Sequence, residues 1–120
     1  MYEISQRFFF DAAHTLDREI DREGSARIHG HTYQAEVTVT GEMNPETGMV
    51  MDIGLLRLEL DKVRSLLDHQ LLDDVRTLGI PTLENLCAFI AKSLDVKPAR
   101  VMKIRVWRVS VGDGCVMTLD

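Results

Sequence analysis

Three of the four histidines in this chain, His14, His29 and His31, stand where their rings could hold a metal ion. His29 and His31 flank Gly30, and in extended backbone an i, i+2 spacing turns both imidazoles to one face. His14 closes an aromatic-rich stretch on the parity of Phe8, Phe10 and Ala12. With the two stretches paired as antiparallel strands, all three rings converge at one end of a sheet. Three neutral imidazoles and an open fourth position make a catalytic type of zinc site. Iron and nickel also suit imidazole, but ligand type puts zinc first. Any one of these histidines alone reads as an ordinary polar residue near a loop; the His-x-His pair with a third ring at a compatible strand end carries the metal reading.

The elements that must position these rings follow from the hydrophobic pattern. Residues 2–14 read as a first strand, ending in Phe8-Phe9-Phe10-Asp11-Ala12-Ala13-His14. Asp17 to Arg27 reads as a polar loop. From His31 to Gly41, Tyr33, Ala35, Val37 and Val39 share one parity and Thr32, Gln34, Glu36, Thr38 and Thr40 the other, which predicts a strand with one buried and one wet face. Met43 to Gly48 is a turn by composition. From Asp52 onward Ile53, Leu56, Leu60, Val63 and Leu67 recur at steps of three and four, an amphipathic helix that needs the sheet as its partner. Leu71 to Ile80 reads as connecting loop. Pro81-Thr82 opens a second helix with Thr82 as N-cap and a stripe of Leu83, Leu86, Ile90 and Leu94. The last third alternates again, with Met102, Ile104, Val106 and Arg108 on the buried parity, then a turn at Gly112-Asp113-Gly114 and a short final strand. The resulting class is α+β, an antiparallel sheet with two helices on one face.

Composition limits the function classes. The 120 residues predict one domain, residues 1–120, and the formal charge of -5 argues against nucleic acid or an anionic membrane as partner. No apolar run approaches the roughly 20 residues that cross a bilayer, and the first residues show no export pattern, so a cytoplasmic location is expected. Cys87 and Cys115 lie far apart with no neighbouring Cys or His and read as reduced, small apolar core residues.

Phe10-Asp11-Ala12-Ala13-His14, His29-Gly30-His31-Thr32-Tyr33, Gly48-Met49-Val50-Met51-Asp52-Ile53-Gly54, Leu67-Asp68-His69 and Pro81-Thr82-Leu83-Glu84-Asn85-Leu86 occur in the order found in the 6-pyruvoyltetrahydropterin and 6-carboxytetrahydropterin synthases, and the chain resembles that family. The resemblance implies the tunnelling fold, a four-stranded antiparallel sheet with two helices on one face, assembled into a homo-oligomeric ring, a hexamer. It implies zinc held by His14, His29 and His31, and lyase chemistry on dihydroneopterin triphosphate, on one branch towards deazapurine nucleosides such as queuosine. Asp68-His69 matches the family's proton-moving pair, and Thr82 and Glu84 fall in its pterin-contacting segment.

Two positions depart from the family pattern. Where the family has its catalytic Cys, four residues before His-Gly-His, this chain has Ser25, whose hydroxyl supplies no resting thiolate. Where the family has a Glu that anchors the guanidine-like edge of the pterin, this chain has Arg108, which donates hydrogen bonds and accepts none. A buried Arg needs an anionic partner, either structural, from Glu84 or Asp113, or a carboxylate or phosphate on a ligand. Two functions follow: a zinc lyase of the pterin type using Ser25 or His69, or a zinc-binding oligomeric paralogue that holds a different small anionic ligand without the family reaction.

Overall fold

The computed structural model describes residues 1–16, 18–20 and 22–120. Four strands, β1 (Tyr2–His14), β2 (His29–Gly41), β3 (Arg100–Arg108) and β4 (Asp113–Thr118), form one antiparallel sheet in the order β1-β2-β3-β4. Between β2 and β3 run two helices, α2 (Ile53–Leu67) and α3 (Leu83–Lys92), which pack on β1 and on β3 and β4 respectively. This is the α+β antiparallel sheet with two helices that the periodicity predicts, and the tunnelling-fold arrangement that the resemblance implies. Phe10, Tyr33, Ala35, Val37, Ile104 and Val106 from the sheet are buried against Leu56, Leu60, Val63, Leu67, Leu86 and Ile90 from the helices in one core.

Both helices begin where side chains satisfy the free backbone N–H groups of a first turn. Asp52 caps α2 by accepting from Gly54 N at 2.7 Å, and Thr82 caps α3 by accepting from Asn85 N at 3.1 Å. Leu94, expected on the α3 stripe, lies just beyond the helix, which ends at its C-cap Ser93, yet it still packs on the core.

The structure departs from the sequence pattern in five places. Within the stretch expected as loop from Asp17 to Arg27, residues 22–26 form a short helix, α1 (Arg22–Ala26), while Asp17 and Asp21 lie outside the described residues. The loop expected from Leu71 to Ile80 contains a 3-10 turn at Leu72–Asp74, whose Leu72 is fully buried. A shift in register between Thr38 and Val39 pairs Val39 with Val101, so Val101 and not Met102 packs on the core at that end of β3. The turn expected at Gly112-Asp113-Gly114 comes earlier, over residues 109–112, with Gly112 at φ 84°, and Asp113 already pairs with Arg108 across β3 and β4. The wet face of β2 is also narrower than alternation predicts, because Thr38 and Thr40 are buried and Thr40 Oγ1 donates to the Tyr2 carbonyl at 2.9 Å.

Candidate metal centre and ligand pocket

The register sets His14 directly across from His29 and Ala12 across from His31, so the three imidazoles leave the same face as Phe10 and Tyr33. His14 Nε2 lies 2.9 Å from His29 Nε2 and 3.1 Å from His31 Nε2. Two rings are held from behind, His14 Nδ1 by the Pro81 carbonyl at 3.0 Å and His29 Nδ1 by the Arg27 carbonyl at 2.8 Å. A carbonyl oxygen only accepts, so both Nδ1 atoms carry the proton and both Nε2 atoms turn lone pairs towards each other. Such an arrangement is repulsive by itself and becomes attractive around a cation. Zinc bonds to imidazole nitrogen at about 2.0–2.1 Å, which makes the edge of its tetrahedron about 3.3 Å. The observed spacings need little adjustment to fit, and a carbonyl behind a ligating ring is the usual outer support.

Burial favours the neutral form of His14 and His31, the form a ligating ring must have. It lowers the pKa of His14, and it lowers that of His31 to about 4, with the nearby Arg108 charge adding to the effect. The sign of the pH dependence follows. Above 6.5 His31 is neutral whether the chain is folded or not, and between 6.5 and about 4 the unfolded chain takes up a proton that the folded site refuses. Metal-free protein is therefore expected to lose stability as the pH falls through that window. Thermal midpoints recorded from pH 7 to 4.5 check this; an equal acid loss in His31→Gln would show that the ring is not the source.

Arg108 points into the same site. Its Nε donates to Asp113 Oδ1 at 2.8 Å, its Nη2 donates to Asp113 Oδ2, and its Nη1 lies 3.0 Å from His31 Nε2. The guanidinium stands 6.0 Å from the centre of the Tyr33 ring, and the Arg108 charge holds the Asp113 carboxyl below the usual carboxylate range. Of the two structural partners weighed from the sequence, Asp113 takes the bond. A cavity of about 150 Å³ opens between His14, Tyr33, Thr82, Glu84 and Arg108. Thr82 and Glu84 thus join Arg108 and the metal cluster in one place.

Asp68 and His69 meet each other although adjacent in sequence. Helix α2 ends at Asp68 and the chain turns through His69 at φ 59°, a left-handed conformation that swings the imidazole back, so that Nδ1 donates to Asp68 Oδ2 at 2.9 Å. Asp68 also accepts from Asp11 N at 2.9 Å and from Arg64 Nη2 at 3.2 Å. Those bonds, led by the Asp11 amide, hold its carboxyl below the usual carboxylate range. The His69 side chain is 79% exposed and lines an open cleft of about 660 Å³ with Asp11, Gly30, His31, Thr32 and Gln70. With Nδ1 protonated, its Nε2 is the basic atom on offer to that cleft.

Ser25 is buried in α1, where its hydroxyl donates to the Arg22 carbonyl at 3.2 Å and its own carbonyl accepts from Leu16 N at 2.7 Å. Among the described residues its hydroxyl has no hydrogen bond to the imidazole cluster or to His69. The structure adds residues that the sequence reading did not assign to the site. Tyr33 backs both His14 and Arg108, and its parity with His31 was the available signal. Asp11 fixes Asp68 through a long-range contact that leaves no local pattern, whereas the i, i+4 spacing of Arg64 and Asp68 was the available signal for their ion pair.

Comparison with known proteins agrees with this geometry. The family model described as 6-pyruvoyl tetrahydropterin synthase matches residues 3–118. The chain is 39% identical over 101 residues to a 6-carboxy-5,6,7,8-tetrahydropterin synthase of Synechocystis sp., covering 79% of this chain and 76% of that protein. It is 34% identical over 111 residues to a dihydroneopterin monophosphate aldolase of Pyrococcus furiosus, covering 92% and 89%. In fold it is similar to the 6-pyruvoyl tetrahydropterin synthase of Caenorhabditis elegans, with a TM-score of 0.83 at 24% identity over 99% of this chain and 96% of that one.

Proposed function

The chain belongs to the 6-pyruvoyl tetrahydropterin synthase family, and from that premise we propose that it is a zinc-dependent lyase of the pterin-synthase type, acting on dihydroneopterin triphosphate or a related pterin. The convergence of three Nε2 lone pairs, two of them fixed by backbone carbonyls, is the observation that carries the reading. Zinc, when bound, polarises a substrate oxygen and stabilises the enolate-like charge left by proton abstraction.

The chain's own residues supply the rest. Asp68 orients His69 by accepting its Nδ1 proton, which leaves Nε2 to take a proton from a substrate in the cleft and return it. Thr82 and Glu84 border the substrate beside the metal. The proposal includes a homo-oligomer, a hexamer by the family resemblance, located in the cytoplasm, with no nucleic acid or membrane partner. No described helix is long and apolar enough to cross a membrane.

A second reading, a zinc-holding paralogue without the family reaction, is favoured by one observation: the Ser25 hydroxyl is spent on the Arg22 carbonyl. Both readings require the metal. Purified protein is expected to carry close to one zinc per chain, and elemental analysis of His14→Ala and His31→Ala should show most of it gone. Undiminished zinc in both variants would overturn the assignment.

A further inference from the structure

The donors around the small cavity outnumber its acceptors. Arg108 Nη1 is directed at the metal cluster, while its Nε and Nη2 are taken by Asp113. Thr82 Oγ1 accepts from Asn85 N, which leaves its own proton to give. The Tyr33 hydroxyl lies 3.5 Å from His14 Nδ1, but that nitrogen already donates to the Pro81 carbonyl and cannot accept, so the phenol proton is also uncommitted. The acidic side chain on the lining is Glu84, which is exposed to solvent at the rim.

Metal binding sharpens the imbalance. Without a metal, Arg108 Nη1 can donate to the lone pair of His31 Nε2. A ligating nitrogen gives that same lone pair to the metal, so the loaded site takes one acceptor away from a guanidinium whose other partners are the Asp113 carboxylate and the Tyr33 hydroxyl. This happens beside a dication, in a residue whose side chain is only 13% exposed. Three neutral rings add no negative charge, and Asp113 offsets no more than the guanidinium itself. An anion is the partner that relieves both the missing acceptor and the excess positive charge. At about 30 Å³ per water, the cavity of about 150 Å³ has room for a compact acidic group.

We propose that Arg108 is the specificity-determining residue of this pocket, selecting a ligand that presents a carboxylate or phosphate oxygen to its Nη1 next to the metal. The proposal deepens the function stated above and rests on its metal reading. The guanidine-like edge of an unmodified pterin is thereby disfavoured, since donor would face donor.

Calorimetric titration of zinc-loaded protein with inorganic phosphate, with pyruvate and with neutral pterin tests this directly. At least one of the two anions should bind, and which of them does separates a phosphate group from a carboxylate. Arg108→Gln should weaken that binding by about tenfold to a hundredfold, the scale of a charge-assisted hydrogen bond, with zinc content unchanged. Asp113→Asn provides a second arm, because a guanidinium freed of its carboxylate should hold the anion several-fold more tightly, whereas a purely structural arginine would leave anion binding as it was. Equal anion binding in wild type and Arg108→Gln, no effect of Asp113→Asn, binding of neither anion, or tighter binding of pterin than of either anion would each overturn the proposal while leaving the metal reading intact. Failure of the wild type to hold zinc would overturn both, and elemental analysis reports that separately.

Discussion

Wild-type protein is expected to turn over dihydroneopterin triphosphate at least about a hundredfold more slowly than a variant carrying both Ser25→Cys and Arg108→Glu. Loss of a positioned proton-transfer group typically costs about 10²–10⁴ in rate, and the Ser25 hydroxyl donates to the Arg22 carbonyl and, among the described residues, is not hydrogen-bonded to an imidazole. A guanidinium at the position where the family resemblance implies the pterin anchor should act on a different step, weakening binding before any proton moves. Ser25→Cys alone should therefore do little, and Arg108→Glu alone should improve KM more than kcat. The ion pair with Asp113 adds a further condition. Arg108 and Asp113 are direct cross-strand partners, so Arg108→Glu sets two carboxylates opposite each other, which destabilises a strand pair. Adding Asp113→Asn should restore stability and raise turnover beyond the double variant. Triphosphate release with chromatography of the pterin product measures all five proteins. Wild-type turnover at an ordinary enzymatic rate would show that Ser25 or Arg108 does not have the effect ascribed to it.

The histidine cluster was legible in the sequence because each part of it obeys a short-range rule. The i, i+2 spacing aligns His29 with His31, strand parity aligns His14 with Phe10, and one antiparallel pairing then brings the three together. The Thr82 cap was legible for the same reason, since a cap acts over three residues. What the sequence concealed depends on backbone irregularity. Helix α1 is five residues long with no apolar stripe to announce it, and the register shift beside Val39 reverses the parity of the residues beyond it on β3. The contact of His69 with Asp68 needs a positive φ that no glycine flags. The grip of Asp113 on Arg108 depends on a turn that closes at Gly112, so that Asp113 belongs to a strand and faces its partner directly.

The second large effect concerns the sheet edges: the protein is expected to be a symmetric oligomer in solution, with a mass that is a multiple of 13.6 kDa. Strand β4 lies at one end of the sheet order and, among the described residues, nothing pairs with its outer side. Strand β1 lies at the other end, where the Ala13 to Leu71 bridge, the Asp11 backbone bonds to Asp68 and His69 and the Arg64 bond to the Phe9 carbonyl cover its last residues and leave the stretch from Tyr2 to Phe8 without a neighbouring strand on that side. Apolar side chains are exposed along both edge strands, Tyr2 and Phe9 on β1 and Val116 on β4. An open, apolar edge is an aggregation hazard, and pairing β1 of one copy with β4 of the next removes both edges at once if the rotation closes into a ring. Light scattering at micromolar concentration should give that multiple. Val116→Lys, which adds a charge at the β4 edge, should shift the mass towards the monomer. Closure also bears on the cleft beside His69, whose exposed imidazole a neighbouring copy could cover, so dissociation by Val116→Lys should lower activity without lowering zinc content. A wild-type monomer at micromolar concentration would overturn both the ring and any active site built between chains.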